Sequence, residues 1–230
     1  MAIWVGTCGY TYPEWRGSFY PQRFATTKML PYHTERLATV EINDTFYRSP
    51  NPSILAGWSG RTPAHFKFAL KAPKRITHDA RLLDCADSAR HFPDTAGTLG
   101  PKLGMLLFQL PSLSSERTWR RSMLSSSSSR PDSHAAFEFR HASWLSDEVY
   151  ERLGAKNLTL CIADGEKATT PLEITADYGY FRLRDEGYTP EDIAQWARTI
   201  REKTARCREV FVYFKHEEAG TGPRFARRLL

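Results

Sequence analysis

Short apolar runs that close on a polar or charged residue recur along this chain, with stretches of helical periodicity between several of them. Eight such runs stand out, at residues 3–8, 39–43, 66–71, 104–109, 135–140, 158–164, 178–183 and 210–214. Met105-Leu106-Leu107-Phe108 is apolar on both faces, as a parallel strand covered on both sides must be. Strands alternating with helices predict an α/β fold, and eight parallel strands is the number that closes a TIM-type (β/α)8 barrel. The clearest helix start is Thr189-Pro190-Glu191-Asp192. Thr189 can cap, Pro190 suits the first helical position, and Ile193, Trp196, Ala197 and Ile200 recur on one face. Pro50-Asn51-Pro52-Ser53 and Ser146-Asp147-Glu148 open two further helices. Residues 165–177 show little helical periodicity where a crossover helix belongs. The barrel is therefore expected to be somewhat irregular, with a short or missing helix after strand six. The serine run at residues 125–129 reads as a mobile surface loop before strand five. Neither a repeat nor a composition shift divides residues 1–230, which are expected to form one domain.

Two runs break the apolar pattern from within. In Val40-Glu41-Ile42-Asn43 and Phe137-Glu138-Phe139-Arg140, polar residues alternate with apolar ones. Strand side chains alternate faces, so Glu41 shares a face with Asn43 and Glu138 with Arg140. A carboxylate is rarely buried unless paired, so these positions predict a polar site built onto the sheet. Other runs end on Thr7, Lys71, Gln109, Asp164, Arg182 with Arg184, and Lys215. In a parallel barrel all strand C-termini open at one mouth, where the loops assemble the active site, so these residues are expected to converge there. Singly, each reads as the solvated end of a strand. Aromatic residues crowd the same ends, and Tyr10, Trp15, Tyr47 and Trp144 are candidates to wall a pocket, although such residues more often pack.

Composition adds modest bounds. Of 230 residues, 41% are hydrophobic and 25% charged, which is ordinary for a globular chain and excludes disordered and fibrous classes. Lys and Arg outnumber Asp and Glu by 32 to 26, for a net charge of +6. That charge favours anionic partners. Cys8, Cys85, Cys161 and Cys207 form no C-x-x-C pair, which argues against finger-type zinc sites and a disulfide framework. The opening Met1-Ala2-Ile3-Trp4-Val5-Gly6 lacks a basic and apolar leader, and no run is long enough to span a bilayer, so a cytoplasmic protein without membrane contact is expected. Nothing in the chain sets an oligomeric state.

Several chemistries compete for the mouth. Glu41 and Glu138 are the candidate acid and base of a hydrolase, lyase or isomerase, with Asn43 and Arg140 orienting the ligand. The bland alternative is that these carboxylates and the nearby cations neutralise one another as structural pairs. Lys71, Arg140, Arg182, Arg184 and Lys215 suit a small phosphorylated or carboxylated substrate, because guanidinium forks match such anions. Lys71 is also a candidate Schiff-base amine, a role that requires a desolvating environment. No cofactor is predicted; a divalent metal would have to use Glu41, Glu138, Asp164 and one of His78, His141 or His216, and no H-x-H or H-E-x-x-H spacing supports it. His33, His65, His91 and His134 are expected on the surface. Nucleic-acid binding or phosphodiester processing is the competing class, motivated by the basic charge and by Arg224, Arg227 and Arg228.

Several ordered motifs give the chain a family likeness. They are Gly6-Thr7-Cys8-Gly9-Tyr10 with Tyr12 and Trp15, Val40-Glu41-Ile42-Asn43-Asp44-Thr45-Phe46-Tyr47, and Lys71-Ala72-Pro73 with Ile76-Thr77-His78. Phe108-Gln109-Leu110-Pro111, Phe137-Glu138-Phe139-Arg140-His141 with Ser143-Trp144, and Ala163-Asp164 continue the series. In these segments the chain resembles the DUF72 or YecE-like proteins, a likeness that implies a TIM-type barrel and carries no agreed reaction. It departs from many relatives at Arg182-Leu183-Arg184-Asp185-Glu186, where an Arg-Leu-His-Gly segment is common, and at Tyr213-Phe214-Lys215-His216-Glu217, so its mouth is expected to be more basic.

Overall fold

Eight parallel strands pair in chain order, β1 (Ala2–Cys8), β2 (Thr39–Ile42), β3 (Lys67–Lys71), β4 (Leu103–Gln109), β5 (Ala135–Glu138), β6 (Thr159–Asp164), β7 (Tyr178–Leu183) and β8 (Glu209–Phe214). β8 returns to β1 and closes the barrel. The structure, a computed structural model, describes residues 1–80, 86–112, 134–165 and 169–230. The serine run at 125–129 and Cys85 lie outside the described residues. Six helices accompany the strands among the described residues: α1 (Met29–Thr34), α2 (Pro52–Ser59), α3 (Ala86–Ala96), α4 (Asp147–Gly154), α5 (Pro190–Lys203) and α6 (Thr221–Leu229).

Strand alternation sorts the side chains into two layers. Cys8, Ala69, Met105, Leu107, Ala136, Cys161, Tyr180 and Tyr213 fill the barrel interior. Their neighbours in sequence face outward. Ile42, Leu70, Leu106 and Phe108 pack on one side of the wall, and Ile162, Phe181, Leu183 and Val212 meet Ile193 and Ile200 of α5 and Phe225 of α6 on the other. β1 and β2 approach closely where Gly6 registers with Thr39. A Cβ on Gly6 would fall 2.1 Å from the Thr39 carbonyl oxygen, so only glycine fits.

Local signals set several helix ends. The Asn51 side chain accepts from the Ile54 N–H at 2.9 Å, with Pro52 opening α2. Thr189 and Asp192 form a reciprocal capping box at the start of α5. Asp147 and Glu148 occupy the first turn of α4, as their charge favours. Among the described residues no helix separates β6 from β7. Threonine hydroxyls hold that connection along β6 instead: the Ala163 N–H donates to Thr170 Oγ1 at 3.2 Å and the Leu160 N–H to Thr175 Oγ1 at 2.9 Å. No helix of the described residues is long and apolar enough to cross a membrane.

Two strands stop short of their expected ends. β2 ends at Ile42, because Asn43 turns to φ −92°, ψ −20° ahead of the 3-10 turn Asp44–Phe46. β5 ends at Glu138. The alternation rule therefore does not extend to Asn43 or Arg140, and neither shares a strand face with its glutamate.

Candidate functional site

The inward positions at the C-terminal ends of β2, β5 and β7 bring Glu41, Glu138 and Arg182 together at the floor of the mouth. Arg182 is 2% exposed and lies between the two carboxylates. Its Nη2 donates to Glu41 Oε1 at 2.9 Å and its Nη1 to Glu138 Oε2 at 2.5 Å. The second Glu41 oxygen accepts from the Tyr180 hydroxyl at 2.7 Å. Glu138 Oε2 also accepts from the Gln109 amide at 2.9 Å, and Oε1 from Arg140 Nε at 3.2 Å, with Arg184 Nη1 at 3.6 Å. Both carboxylates are thus engaged on both oxygens.

This arrangement sets the charge states. Burial alone would raise the Glu138 carboxyl, but Arg182, Arg184 and Arg140 outweigh it and hold the group well below the usual carboxylate range. Burial would lower the Arg182 guanidinium, and Glu41 and Glu138 reverse that and keep it charged. Burial raises the thiol of Cys8, whose sulfur lies 3.8 Å from Arg182 Nη2, so it is an inert neighbour rather than a nucleophile.

Above the floor, Arg140, Arg184 and Lys215 line an open cleft of about 760 Å³ together with Glu186, Thr169 and Thr170. Three cations thus face one carboxylate in the lining. Arg184 Nε is buried without a hydrogen-bond partner among the described residues. Lys215 is exposed and reaches toward Glu217 at 3.9 Å. Lys71 ends β3 on the inward face, its Nζ 4.1 Å from the centre of the Phe46 ring. His78 packs edge-on against the same ring, with Nδ1 2.9 Å from Thr77 Oγ1.

Several expected site residues fall elsewhere. Asp164 follows the outward parity of Ile162, so it leaves the barrel axis and accepts from Thr169 and Tyr188 beside a separate cleft of about 430 Å³. Asn43 sits past its strand in the connecting turn. Trp15 and Trp144 are buried packing residues rather than exposed walls: Trp15 Nε1 donates to the Glu217 carbonyl at 2.8 Å, and Trp144 stacks on Phe139 at 4.9 Å. Tyr10 is half-buried in the same aromatic group as Trp15, and Tyr47 is 80% exposed. His141 is exposed and caps its own turn through Ser143.

His33, expected on the surface, is fully buried. The Thr7 hydroxyl donates to the Gly9 carbonyl at 2.6 Å, so the 3.0 Å contact between Thr7 and His33 must be donated by His33 Nε2–H. Nδ1 then carries no proton, and burial lowers the ring's pKa to about 3. The partners Tyr180 and Cys8 were not among the expected site residues. Tyr178-Gly179-Tyr180-Phe181-Arg182 carries the same inward alternation that flags Glu41, and that pattern identifies Tyr180.

The set that a divalent metal would have to use does not come together. Among the described residues no three His, Cys, Asp or Glu side chains are grouped to hold an ion. The Arg182 guanidinium occupies the place between Glu41 and Glu138 that a cation would take.

Comparison with known proteins places this architecture. The family model described as "Protein of unknown function DUF72" matches residues 4–230. The UPF0759 protein YecE of Escherichia coli (strain K12) is 30% identical over 109 residues, covering 47% of this chain and 38% of that protein. The match thus spans under two fifths of that relative's length. The UPF0759 protein YunF of Bacillus subtilis (strain 168) is 23% identical, with 99% of this chain and 93% of that protein covered. The crystal structure of a DUF72 family protein from Thermotoga maritima superposes with a TM-score of 0.87 at 25% identity, covering 100% of this chain and 98% of the other.

Proposed function

This chain belongs to the DUF72 family of proteins of unknown function, and we propose that its barrel mouth binds a small anionic metabolite, phosphorylated or carboxylated, as an enzyme substrate. The observation that carries this reading is the sharing of one buried carboxylate, Glu138, among Arg182, Arg140 and Arg184. Three guanidinium groups set against the two buried carboxylates Glu41 and Glu138 leave the rim with positive charge to spare, and two of those arginines line the cleft with Lys215. Guanidinium groups held in place by a carboxylate beneath them present fixed forks to a phosphate or carboxylate, which lowers the ordering cost of binding.

In this reading Glu41 and Glu138 hold Arg182 and the rim arginines. Proton transfer by either would first require Arg182 to release it. Inorganic phosphate, pyruvate and a short single-stranded oligonucleotide, each titrated while the melting temperature is followed, test the proposal. A saturable rise with phosphate or pyruvate that Arg184→Ala and Arg140→Ala each diminish is expected. A rise with the oligonucleotide alone, steeply weakened by salt, would replace this reading with the nucleic-acid one.

A further inference from the structure

Lys71 is the inward-facing cation of the mouth that the ion-pair network leaves out. It continues the inward parity of Ala69 and is 9% exposed. Among the described residues no carboxylate comes within ion-pair distance of its Nζ, although Glu41 and Glu138 are near enough to act on it through space. Its contact is the face of Phe46. A buried lysine normally carries a carboxylate partner; here both nearby carboxylates are committed to Arg182.

We propose that Lys71 is a nucleophilic amine that forms an imine with a substrate bearing an aldehyde or ketone carbonyl near its anionic group. The inference rests on the anion-binding reading above for the placement of that substrate. Burial, and after it the Arg182 charge, brings the Lys71 ammonium down to about 8, against the opposing pull of Glu41 and Glu138. Relative to an exposed lysine near 10.4, that gives about a hundredfold more free amine at pH 8. Desolvation beside a second cation is the setting in which lysine becomes a nucleophile.

The step balances without a further reactant. The Lys71 ammonium first passes a proton to a neighbouring base. The amine lone pair then attacks the carbonyl carbon while the C=O π pair moves to oxygen, and a proton passing from nitrogen to that oxygen gives a carbinolamine. The base returns its proton to the departing hydroxyl. The nitrogen lone pair then expels the oxygen, protonated once more, as water. Net, one ammonium and one carbonyl become one protonated imine and one water. His78 stands against the same Phe46 ring, with burial and after it the Lys71 charge lowering its pKa, so it is the group assigned to carry these protons.

Two probes test this on the full chain. Pyruvate and dihydroxyacetone phosphate, each added with sodium borohydride, should reduce onto Lys71 and be found there by peptide mass spectrometry. Formaldehyde with cyanoborohydride, which needs no cognate substrate, should methylate Lys71 with a pH midpoint near 8, whereas exposed lysines follow midpoints above 10. The groups acting on that midpoint are Arg182, Glu41, Glu138 and Arg140. Lys71→Met and Lys71→Arg should lose the adduct, and the arginine variant keeps the charge where methionine fails to fold. Lys71 unlabelled by both reagents, or titrating with the surface lysines, would overturn the imine while leaving the phosphate-dependent stabilisation intact. Labelling at Lys71 without any stabilisation by phosphate or pyruvate would instead sustain the amine and overturn the anion reading.

Discussion

Replacing Arg182 with methionine removes the guanidinium that neutralises the barrel floor and leaves a side chain of similar reach. Glu138 would keep Arg140 at 3.2 Å and Arg184 at 3.6 Å. Glu41, fully buried, would keep the Tyr180 hydroxyl and the Cys8 thiol beside it but, among the described residues, no cation within ion-pair distance. The cost is therefore that of one orphaned buried carboxylate, about 3–5 kcal/mol. For a chain of this size that lowers the melting temperature by roughly 6–20 °C. Adding Glu41→Gln should recover part of the loss, with a coupling of about 1–3 kcal/mol. Urea unfolding of the two single variants and the double variant at pH 7.5 measures both the loss and the coupling. A loss under about 1 kcal/mol, or no relief from Glu41→Gln, would refute the view that Arg182 neutralises this floor.

Other outcomes follow from the same geometry. Glu138 has a folded-state pKa depressed below its unfolded value, so its stabilisation is present above about pH 4.3 and fades as the pH falls toward the folded value. Glu138→Gln should accordingly flatten the acid limb of a urea-midpoint profile. His33 has its pKa lowered to about 3, so below about pH 6.5 the unfolded chain binds a proton that the folded chain refuses, and stability falls by up to about 1.4 kcal/mol per pH unit. His33→Gln can still donate to Thr7 and should remove that slope, measured between pH 4 and 7. Trp144→Ala should cost about 3–5 kcal/mol in chemical denaturation, because it empties the site stacked on Phe139.

Much of the barrel could be read from residue patterns. All eight strands coincide with apolar runs, and the capping box at Thr189 and the absence of a described helix after β6 were both visible as local signals. Local signals were weakest where strands end. Nothing within Ile42-Asn43 announces the turn of the backbone that removes Asn43 from the strand, because asparagine suits either conformation. Asp164 misled for a related reason: its place at a strand end was legible, and its outward face depended on the register of Cys161 and Ile162. Side-chain identity pointed correctly to a charged mouth, yet partner choice is a tertiary property. Arg182 reaches Glu41 and Glu138 across 141 and 44 residues of sequence. His33 looked like any helical histidine, and only the closure of β1 over α1 buries it against Thr7.

In the proposed function the rim arginines, organised by Glu138, hold a bound anion. A crystal of the protein soaked in tungstate, an electron-dense phosphate mimic, tests it most directly when compared with one soaked after Arg184→Ala. The anion should lie within hydrogen-bond distance of the Arg140 and Arg184 guanidinium groups, and the Arg184→Ala crystal should lose it. Tungstate bound only at the exposed Arg224, Arg227 and Arg228 of α6, with the cleft left empty, would rule out an anion site at this rim.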